Sequence, residues 1–174
     1  MRVIAGDFKG RRLHTARGPR TRPTADRVRE ALFSMLGDLS GARVLDLYAG
    51  SGALGIEALS RGAGSALFVE RDRHALTALR RNLEAVGADA VVRSQDVQGF
   101  LARPEGTFDL VFCDPPYDEA SRAAAALSEA LPAMLGENAR IVTESDKRNP
   151  LLLPLPLLVE RAYGDTRIAI HSAT

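Results

Sequence analysis

Cysteine is nearly absent from this chain of 174 residues: Cys113 stands alone, which excludes a disulfide within the chain. Long apolar runs are absent too. The longest, Leu151 to Val159, spans nine residues and contains two prolines, whereas a membrane-spanning helix needs about 20 residues. No charged and then apolar segment opens the chain, so a secretory signal is not expected. We therefore expect a cytoplasmic protein without membrane contact, with Cys113 in its core.

Histidine is scarce as well, and His14, His74 and His171 are too scattered to match the spacing of metal ligands. No Ser/His/Asp arrangement, internal repeat or low-complexity segment is visible. The composition is ordinary for a soluble globular fold, with 45% hydrophobic and 26% charged residues. We expect no bound metal, and nothing in the sequence demands more than a monomer.

Lysine is rare, with two in the whole chain, yet the first 29 residues are strongly basic. They hold nine Lys and Arg side chains against Asp7 and Asp26, while the remainder of the chain is net acidic. A basic arm on an acidic body indicates contact with a polyanion such as nucleic acid. A general abundance of arginine is the alternative explanation. Phe8 is the arm's one aromatic residue, so base stacking there is not indicated.

Apolar runs and helical patterns alternate beyond the arm, which predicts a Rossmann-like, doubly wound α/β fold with a seven-stranded, mostly parallel sheet. A short turn at Gly164-Asp165 predicts that the last two strands form an antiparallel hairpin. The predicted strands are Arg43–Tyr48, Ala66–Glu70, Ala90–Arg93, Asp109–Asp114, Arg140–Glu144, Leu157–Ala162 and Thr166–His171. The predicted helices are Ala25–Leu36, Leu54–Arg61, His74–Val86, Gln98–Arg103 and Glu119–Leu135.

The basic start of the chain is predicted to be a separate small element. Residues 1–15 suit a β-hairpin with Gly10 in its turn, and Thr24 suits the N-cap of the first helix. We therefore divide the chain into a basic N-terminal extension, residues 1–23, and a main domain, residues 24–174.

A glycine-rich loop follows the first predicted strand. Gly50, Gly52 and Gly55 match the pattern G-x-G-x-x-G, and Glu70 ends the second strand 20 residues after Gly50. This is the spacing of a nucleotide site in which the acid binds the ribose hydroxyls. The pattern alone is weak, but here the flanking strand, helix and acid are all present.

Asp46 indicates which nucleotide the loop binds. A dinucleotide places its pyrophosphate over such a loop, and a carboxylate four residues before Gly50 would repel it. S-adenosylmethionine has no phosphate and carries an ammonium and a sulfonium, so an acidic residue attracts it. Asp46 could instead be an N-cap or hydrogen-bond the loop backbone, and that structural role is compatible with the same cofactor.

The segment Asp114-Pro115-Pro116-Tyr117 follows the apolar run Leu110 to Cys113, which suits a buried strand. Two prolines cannot continue a central strand, so the chain leaves the sheet after Asp114, at the strand end where ligands bind. Asp114 and the Pro115 carbonyl could accept two hydrogen bonds from a ring-bound NH2 group, and Tyr117 could stack on that ring. A plain strand followed by a Pro-Pro turn is the alternative.

The chain resembles the class I S-adenosylmethionine-dependent methyltransferases that modify exocyclic amines, in its loop Leu45 to Gly52 and in Asp114 to Tyr117. Within that class it resembles the RsmD family, bacterial enzymes that methylate N2 of guanine 966 in 16S ribosomal RNA. This narrower likeness lies in Arg2 to Gly6, Lys9 to Leu13, Arg22 to Phe33, and Tyr163 to Thr166.

The resemblance implies S-adenosylmethionine as the cofactor and 16S ribosomal RNA as the partner, within the small ribosomal subunit or its assembly intermediate. The catalytic candidates are Asp114, Pro115, Pro116 and Tyr117. The cofactor candidates are Asp46, Ala49, Gly50, Ser51, Gly52, Glu70, Arg71, Asp96, Val97 and Asp114, with Asp96 as the adenine contact or simply a helix N-cap. The RNA candidates are Lys9, Arg11, Arg12, Arg20, Arg22, Thr24 and Arg27.

Two other functions remain open at this point. The same chemistry could act on another amine, such as adenine N6, cytosine N4 or a glutamine amide. A nicotinamide-dependent oxidoreductase is compatible with the glycine pattern and Glu70, although Asp46 and Asp114 to Tyr117 both argue against it.

Overall fold

The computed structural model describes residues 1–15, 26–116 and 119–174. Its strands are β1 Arg43–Leu47, β2 Ser65–Glu70, β3 Val91–Ser94, β4 Phe108–Cys113, β5 Leu135–Asp146, β6 Leu157–Tyr163 and β7 Thr166–Ser172. Its α-helices are α1 Asp26–Leu36, α2 Ala53–Ser60, α3 Arg73–Val86, α4 Val97–Ala102 and α5 Ala120–Ala130. Thr24, the expected N-cap of α1, lies outside the described residues.

The strands form one seven-stranded sheet in the order β3-β2-β1-β4-β5-β7-β6. The first five strands pair in parallel, and β7 pairs antiparallel with both β5 and β6. The predicted fold class is therefore confirmed, including the C-terminal hairpin. From β1 toward one edge the strands run in the order β1-β2-β3, and from β4 toward the other edge the next strand is β5. The strand order therefore reverses between β1 and β4, and open α/β sheets bind ligands at such a reversal.

Alternate side chains of the central strands pack on opposite faces of the sheet, as a period of two requires. In β4, Leu110 and Phe112 join one buried cluster with residues of α1, α2 and α3. Val111 and Cys113 join a second cluster with residues of α4 and α5. Helices thus cover both faces, and Cys113 lies in the core as predicted.

The boundary between the fifth helix and fifth strand differs from the prediction. Helix α5 ends at Ala130, a short 3-10 turn covers Leu131–Ala133, and β5 already begins at Leu135. Pro132 lies in that 3-10 turn, where it cannot continue the α-helical hydrogen-bonding pattern. The added first part of β5 is irregular, because its register with β4 shifts and Asn138 has a φ of 62°.

The N-terminal segment, residues 1–15, packs against the main domain. The predicted hairpin appears as a single antiparallel bridge between Arg2 and Arg12, because bends and turns occupy residues 5–10. Val3 and Leu13 are buried in the core cluster that includes α1 and α2. The division of the chain at residue 23 lies outside the described residues and stays a prediction.

Gly6 has a φ of 82° and lies where the N-terminal segment meets α2. A Cβ at this position would lie 1.7 Å from the backbone oxygen of Ser60, whereas a Cβ at Gly10, with the same φ, would meet nothing within 4 Å. We expect Gly10→Ala to cost about 1–2 kcal/mol of unfolding free energy from the left-handed backbone alone. Gly6→Ala should cost about 1–3 kcal/mol more from the clash. Urea unfolding of both variants measures the difference, and equal costs would contradict this packing.

Among the described residues, no helix has the length and apolar composition needed to cross a membrane.

Candidate functional site

Four carboxyl side chains line up across the central strands near their carboxyl ends. Glu70 ends β2, Asp46 lies in β1, Asp114 directly follows β4, and Glu144 lies in β5. These strands are consecutive neighbours in the sheet. The charge of Glu70 contributes to a raised pKa of Asp46, and the charges of Glu144 and Asp46 contribute to a raised pKa of Asp114. We call these four residues the carboxylate row. It lies at the reversal of strand order between β1 and β4.

Asp46 supports the start of helix α2 from inside the protein. It is 2% exposed, and its Oδ2 accepts a hydrogen bond from the Gly55 backbone N–H at 2.9 Å. Burial, and secondarily the charge of Glu70, raise the pKa of Asp46 to about 8. Asp46 thus hydrogen-bonds the loop backbone, which is the structural role considered for it. Its side chain is also a buried carboxyl, whose ionised form a cation would stabilise.

The glycine loop needs glycine for close packing. Gly52 has a φ of 82°, and a Cβ on it would lie 2.3 Å from Leu79 Cδ1 in α3. A Cβ on Gly55 would lie 2.3 Å from the ring of Phe68. The loop residues predicted to bind cofactor, Ala49, Gly50 and Ser51, are half-buried, and Gly52 is buried.

Glu70 closes the loop from the neighbouring strand. Its Oε2 accepts from the Gly50 N–H at 2.8 Å, and its Oε1 accepts from the N–H groups of Arg71 and Asp72 at 2.8 and 2.7 Å. The Arg71 side chain extends to Glu119 at 2.5 Å, which joins the end of β2 to the start of α5. Arg71 therefore contacts the segment that follows the predicted catalytic tetrapeptide, and its cofactor role stays a prediction.

Asp114 directly follows β4 and is half-buried, and Pro115 after it is buried. Burial, and then the charges of Glu144 and Asp46, raise the pKa of Asp114 well above its usual range. Pro116 is half-buried, and its carbonyl accepts from the Glu119 N–H at 2.8 Å. Tyr117 lies outside the described residues. The chain thus leaves the sheet after Asp114 as predicted.

Asp96 is the N-cap of α4, where its Oδ1 accepts from the Gly99 N–H at 2.7 Å. Asp96 therefore caps the helix, which is the alternative to the adenine contact, and its side chain is exposed. Val97 is buried in the cluster between the sheet and α4. An open groove of about 490 Å³ lies beside them, lined by residues that include Arg93, Gly99 and Phe100, but by none of the carboxylate row. The adenine contact stays a prediction.

The basic residues of the chain's start separate into exposed and buried groups. Lys9, Arg11, Arg12 and Arg27 are exposed, as nucleic-acid contact requires. Arg29 is instead fully buried, ion-paired with Asp26 at 3.0 Å and close to Glu57 at 3.8 Å. Three further RNA candidates, Arg20, Arg22 and Thr24, lie outside the described residues.

Sequence reasoning missed three features of this region. Glu144 could have been found by applying the strand-end rule to β5 as well. Tyr48 has a φ of 58°, a strained conformation for a tyrosine, at the entry to the glycine loop. Glu57 is 1% exposed and accepts from the N–H groups of Ile4 and Ala5. No local pattern in the sequence distinguishes that residue from a solvated helix position.

The chemistry of the carboxylate row fits a cationic cofactor. Burial and neighbouring charges raise the pKa values of Asp46 and Asp114, and a bound positive charge offsets the cost of ionising them. Asp46 and Glu70 flank the glycine loop and would hold the cofactor from two strands, with Asp114 beside them. A Rossmann-like sheet with a glycine loop and this acidic edge defines a class I S-adenosylmethionine-dependent methyltransferase.

Comparison with known proteins identifies the family within that class. The family described as "Conserved hypothetical protein 95" matches residues 1–172. Ribosomal RNA small subunit methyltransferase D of Haemophilus influenzae is 38% identical, across 94% of this chain and 89% of its own. YlbH of Bacillus subtilis is 41% identical across 98% of each chain. The solved structure of Escherichia coli yhhF has a TM-score of 0.86 and 35% identity, covering 99% of this chain and 97% of its own. The chain belongs to the RsmD family, and the predicted resemblance is confirmed.

Proposed function

We propose that this protein methylates the exocyclic N2 of a guanine in 16S ribosomal RNA, guanine 966 by family resemblance. The observation that carries the proposal is the position of Asp114, at the end of β4 between Asp46 and Glu144. Family membership supports ribosomal RNA as the substrate class, since its curated relatives include ribosomal RNA small subunit methyltransferase D. When bound, S-adenosylmethionine supplies the methyl group: transfer breaks its sulfur–methyl bond, forms a bond to the amine nitrogen and leaves S-adenosylhomocysteine, and the nitrogen then releases a proton to solvent.

Asp114 would orient the amine. Its ionised carboxylate and the Pro115 carbonyl would accept hydrogen bonds from the two N–H groups. These bonds favour a pyramidal nitrogen, whose lone pair points outward toward the methyl group. Positive charge develops on that nitrogen during transfer, and preorganised acceptors stabilise it. A protonated Asp114 cannot accept in this way, so activity should be lost as pH falls through the pKa of Asp114. Because this pKa is raised, the loss should occur at a higher pH than for an ordinary Asp. The guanine would have to leave its stack, which is easiest in an RNA loop.

Glu70 would bind the ribose hydroxyls of the cofactor while it holds the loop N–H of Gly50. We expect Glu70→Ala to weaken S-adenosylmethionine by about 1.5–3 kcal/mol, the contribution of a charge-assisted hydrogen bond, with little change in RNA affinity. Calorimetric titration measures the first quantity and filter binding the second. Asp72→Ala is a matched control, because it removes a neighbouring carboxylate that caps α3 instead. Equal losses for the two variants would contradict the ribose contact.

Exposed basic side chains of the N-terminal segment would bind RNA phosphates. We expect Arg12→Ala to weaken binding of 16S ribosomal RNA and to flatten its salt dependence by about 0.7 in log–log slope for one single-strand phosphate contact. Arg161→Ala removes an exposed arginine from β6, an edge strand of the sheet, and should leave the slope unchanged. Identical slopes for Arg12→Ala and the wild type would show that the charge of Arg12 is incidental.

The decisive experiment identifies the methylated nucleoside. Small ribosomal subunits from a strain lacking this protein would be incubated with the purified enzyme and labelled S-adenosylmethionine, and the digested RNA analysed by mass spectrometry. N2-methylguanosine at one position supports the proposal. N6-methyladenosine or N4-methylcytidine would retain the chemistry and refute the target. Naked 16S ribosomal RNA in a parallel reaction tests whether the assembled particle is required.

A further inference from the structure

Asn82 lies on α3 and is completely buried, with 0% of its side chain exposed. It contacts two segments that are distant in sequence, the N-terminal segment and the glycine loop. Its Oδ1 accepts from the His14 N–H at 2.7 Å, and its Nδ2 donates to the His14 carbonyl at 2.9 Å. Nδ2 also donates to the Ser51 carbonyl at 2.8 Å. Both hydrogens of the side-chain amide are therefore used.

The Ser51 carbonyl lies between two glycines of the loop. Gly50 and Gly52 on either side have φ values of 56° and 82°, and glycine loses more conformational freedom on ordering than any other residue. Asn82 adds a fixed donor from a buried helix to the other contacts of this stretch, among them the bond from the Gly50 N–H to Glu70. Asn82 can provide that donor at a fixed position because His14 holds the other side of its amide.

Other buried side chains anchor the N-terminal segment to α2. Ser60 accepts from the Phe8 N–H at 2.9 Å and donates to the Ala5 carbonyl at 2.5 Å. Glu57 accepts from two further N–H groups of the segment. These anchors hold the segment in place, whereas Asn82 joins it directly to the loop.

We propose that Asn82 is a positioning residue that couples docking of the N-terminal segment to the binding of S-adenosylmethionine. The inference goes beyond the proposed RNA target and rests on the glycine loop as the cofactor site. Coupling between two sites is reciprocal. Contacts of the N-terminal segment therefore strengthen cofactor binding, and the cofactor in turn strengthens docking of a segment whose exposed side chains are basic.

The first test compares two buried anchors of the same segment. Asn82→Ala removes the link to the loop, and Ser60→Ala removes two hydrogen bonds that lead to α2. Calorimetric titration with S-adenosylmethionine, at a temperature where both variants are folded, should show affinity about tenfold weaker for Asn82→Ala, the scale of one lost hydrogen bond. Ser60→Ala should stay within about twofold of the wild type. Similar losses in both variants would overturn the coupling in favour of general loosening.

A second pair of variants changes the partner of Asn82 and leaves α3 and the loop intact. The His14 side chain is exposed, so His14→Ala keeps the backbone N–H that Asn82 accepts and should bind the cofactor normally. His14→Pro removes that N–H, and should weaken the cofactor by about threefold to tenfold. Equal affinities for the alanine and proline variants would overturn the proposal, even if Asn82→Ala failed to fold.

Hydrogen exchange measures the reverse direction. Saturating S-adenosylmethionine should slow exchange at the amides of Leu13 and His14 in the wild type and in Ser60→Ala, but not in Asn82→Ala. A merely structural role would change the basal exchange rates without removing the cofactor's effect, and that result would overturn the coupling. Titration of the wild type with S-adenosylmethionine is the reference. If the wild type binds and Asn82→Ala binds equally tightly, the coupling alone is refuted. If the wild type does not bind, both the coupling and the cofactor assignment are refuted.

Discussion

Asp114→Ala should lower single-turnover methyl transfer by about 10²–10³, the effect of losing one preorganised acceptor in a transition state. Cofactor affinity should stay nearly unchanged, because the lost contact is to the amine. Rapid-quench measurement of labelled RNA, with enzyme in excess, separates this chemical step from product release. Near-normal transfer by Asp114→Ala would refute the proposed role of this residue, whatever the identity of the base.

Glu144→Gln gives a matched test on the neighbouring strand. The charge of Glu144 raises the pKa of Asp114, so its removal lowers that pKa. Since Asp114 must be ionised to accept from the amine, the acidic limb of the pH–rate profile should move to lower pH while the rate at high pH is preserved. Single-turnover rates between pH 5 and pH 9 measure both quantities. A uniform loss at every pH would indicate that Glu144 affects transfer by another route.

Asp46→Asn should change how the stability of the protein depends on pH. The pKa of Asp46 is raised to about 8 from an ordinary value of 3.8. Between these values the folded protein keeps the proton that the unfolded chain releases, so rising pH lowers the free energy of unfolding. One pKa unit corresponds to about 1.4 kcal/mol, so wild-type stability should fall by about 3 kcal/mol between pH 5 and pH 7 from this residue. The asparagine variant lacks this decline, while its amide oxygen can still accept from Gly55.

Urea unfolding of both proteins at pH 5, 6 and 7 measures the predicted divergence. Asp109→Asn is the matched control, because hydrogen bonding to Arg43 lowers the pKa of Asp109. Its stabilising contribution is therefore lost only as pH falls into the acidic range, and its curve should run parallel to the wild type between pH 5 and pH 7. Parallel curves for Asp46→Asn as well would mean that Asp46 is ionised in the folded protein.

The sequence predicted the sheet and its acidic edge because both depend on local signals. Buried strands give short apolar runs, and the two prolines after Asp114 set the end of β4. Once alternating strands and helices imply a parallel sheet, the strand-end residues Asp46, Glu70 and Asp114 must approach one another. The predicted helix Glu119–Leu135 extends past the observed end of α5 at Ala130, because the helical periodicity of the sequence continues through Pro132.

The tertiary connections of the N-terminal segment could not be predicted in this way. Arg29 belongs to a strongly basic stretch, yet it is buried beside Glu57. Asn82 lies in a helix of ordinary amphipathic pattern, and its three hydrogen bonds depend on segments far away in the chain. Such contacts leave no periodic signal, since they are set by which backbone groups a fold brings to one place.

Docking of the N-terminal segment constrains the order in which parts of the protein can fold during synthesis. The segment leaves the ribosome before its partners Glu57, Ser60 and Asn82, which follow it by 52 to 68 residues. The backbone N–H groups that bond to these three side chains lack that native partner until α2 and α3 have been translated. Contacts of this separation form slowly because a long loop must close first. The glycine loop therefore acquires its final shape only after residue 82 has emerged. Until then the basic N-terminal segment is undocked close to ribosomal RNA, the polymer that the folded protein is proposed to modify.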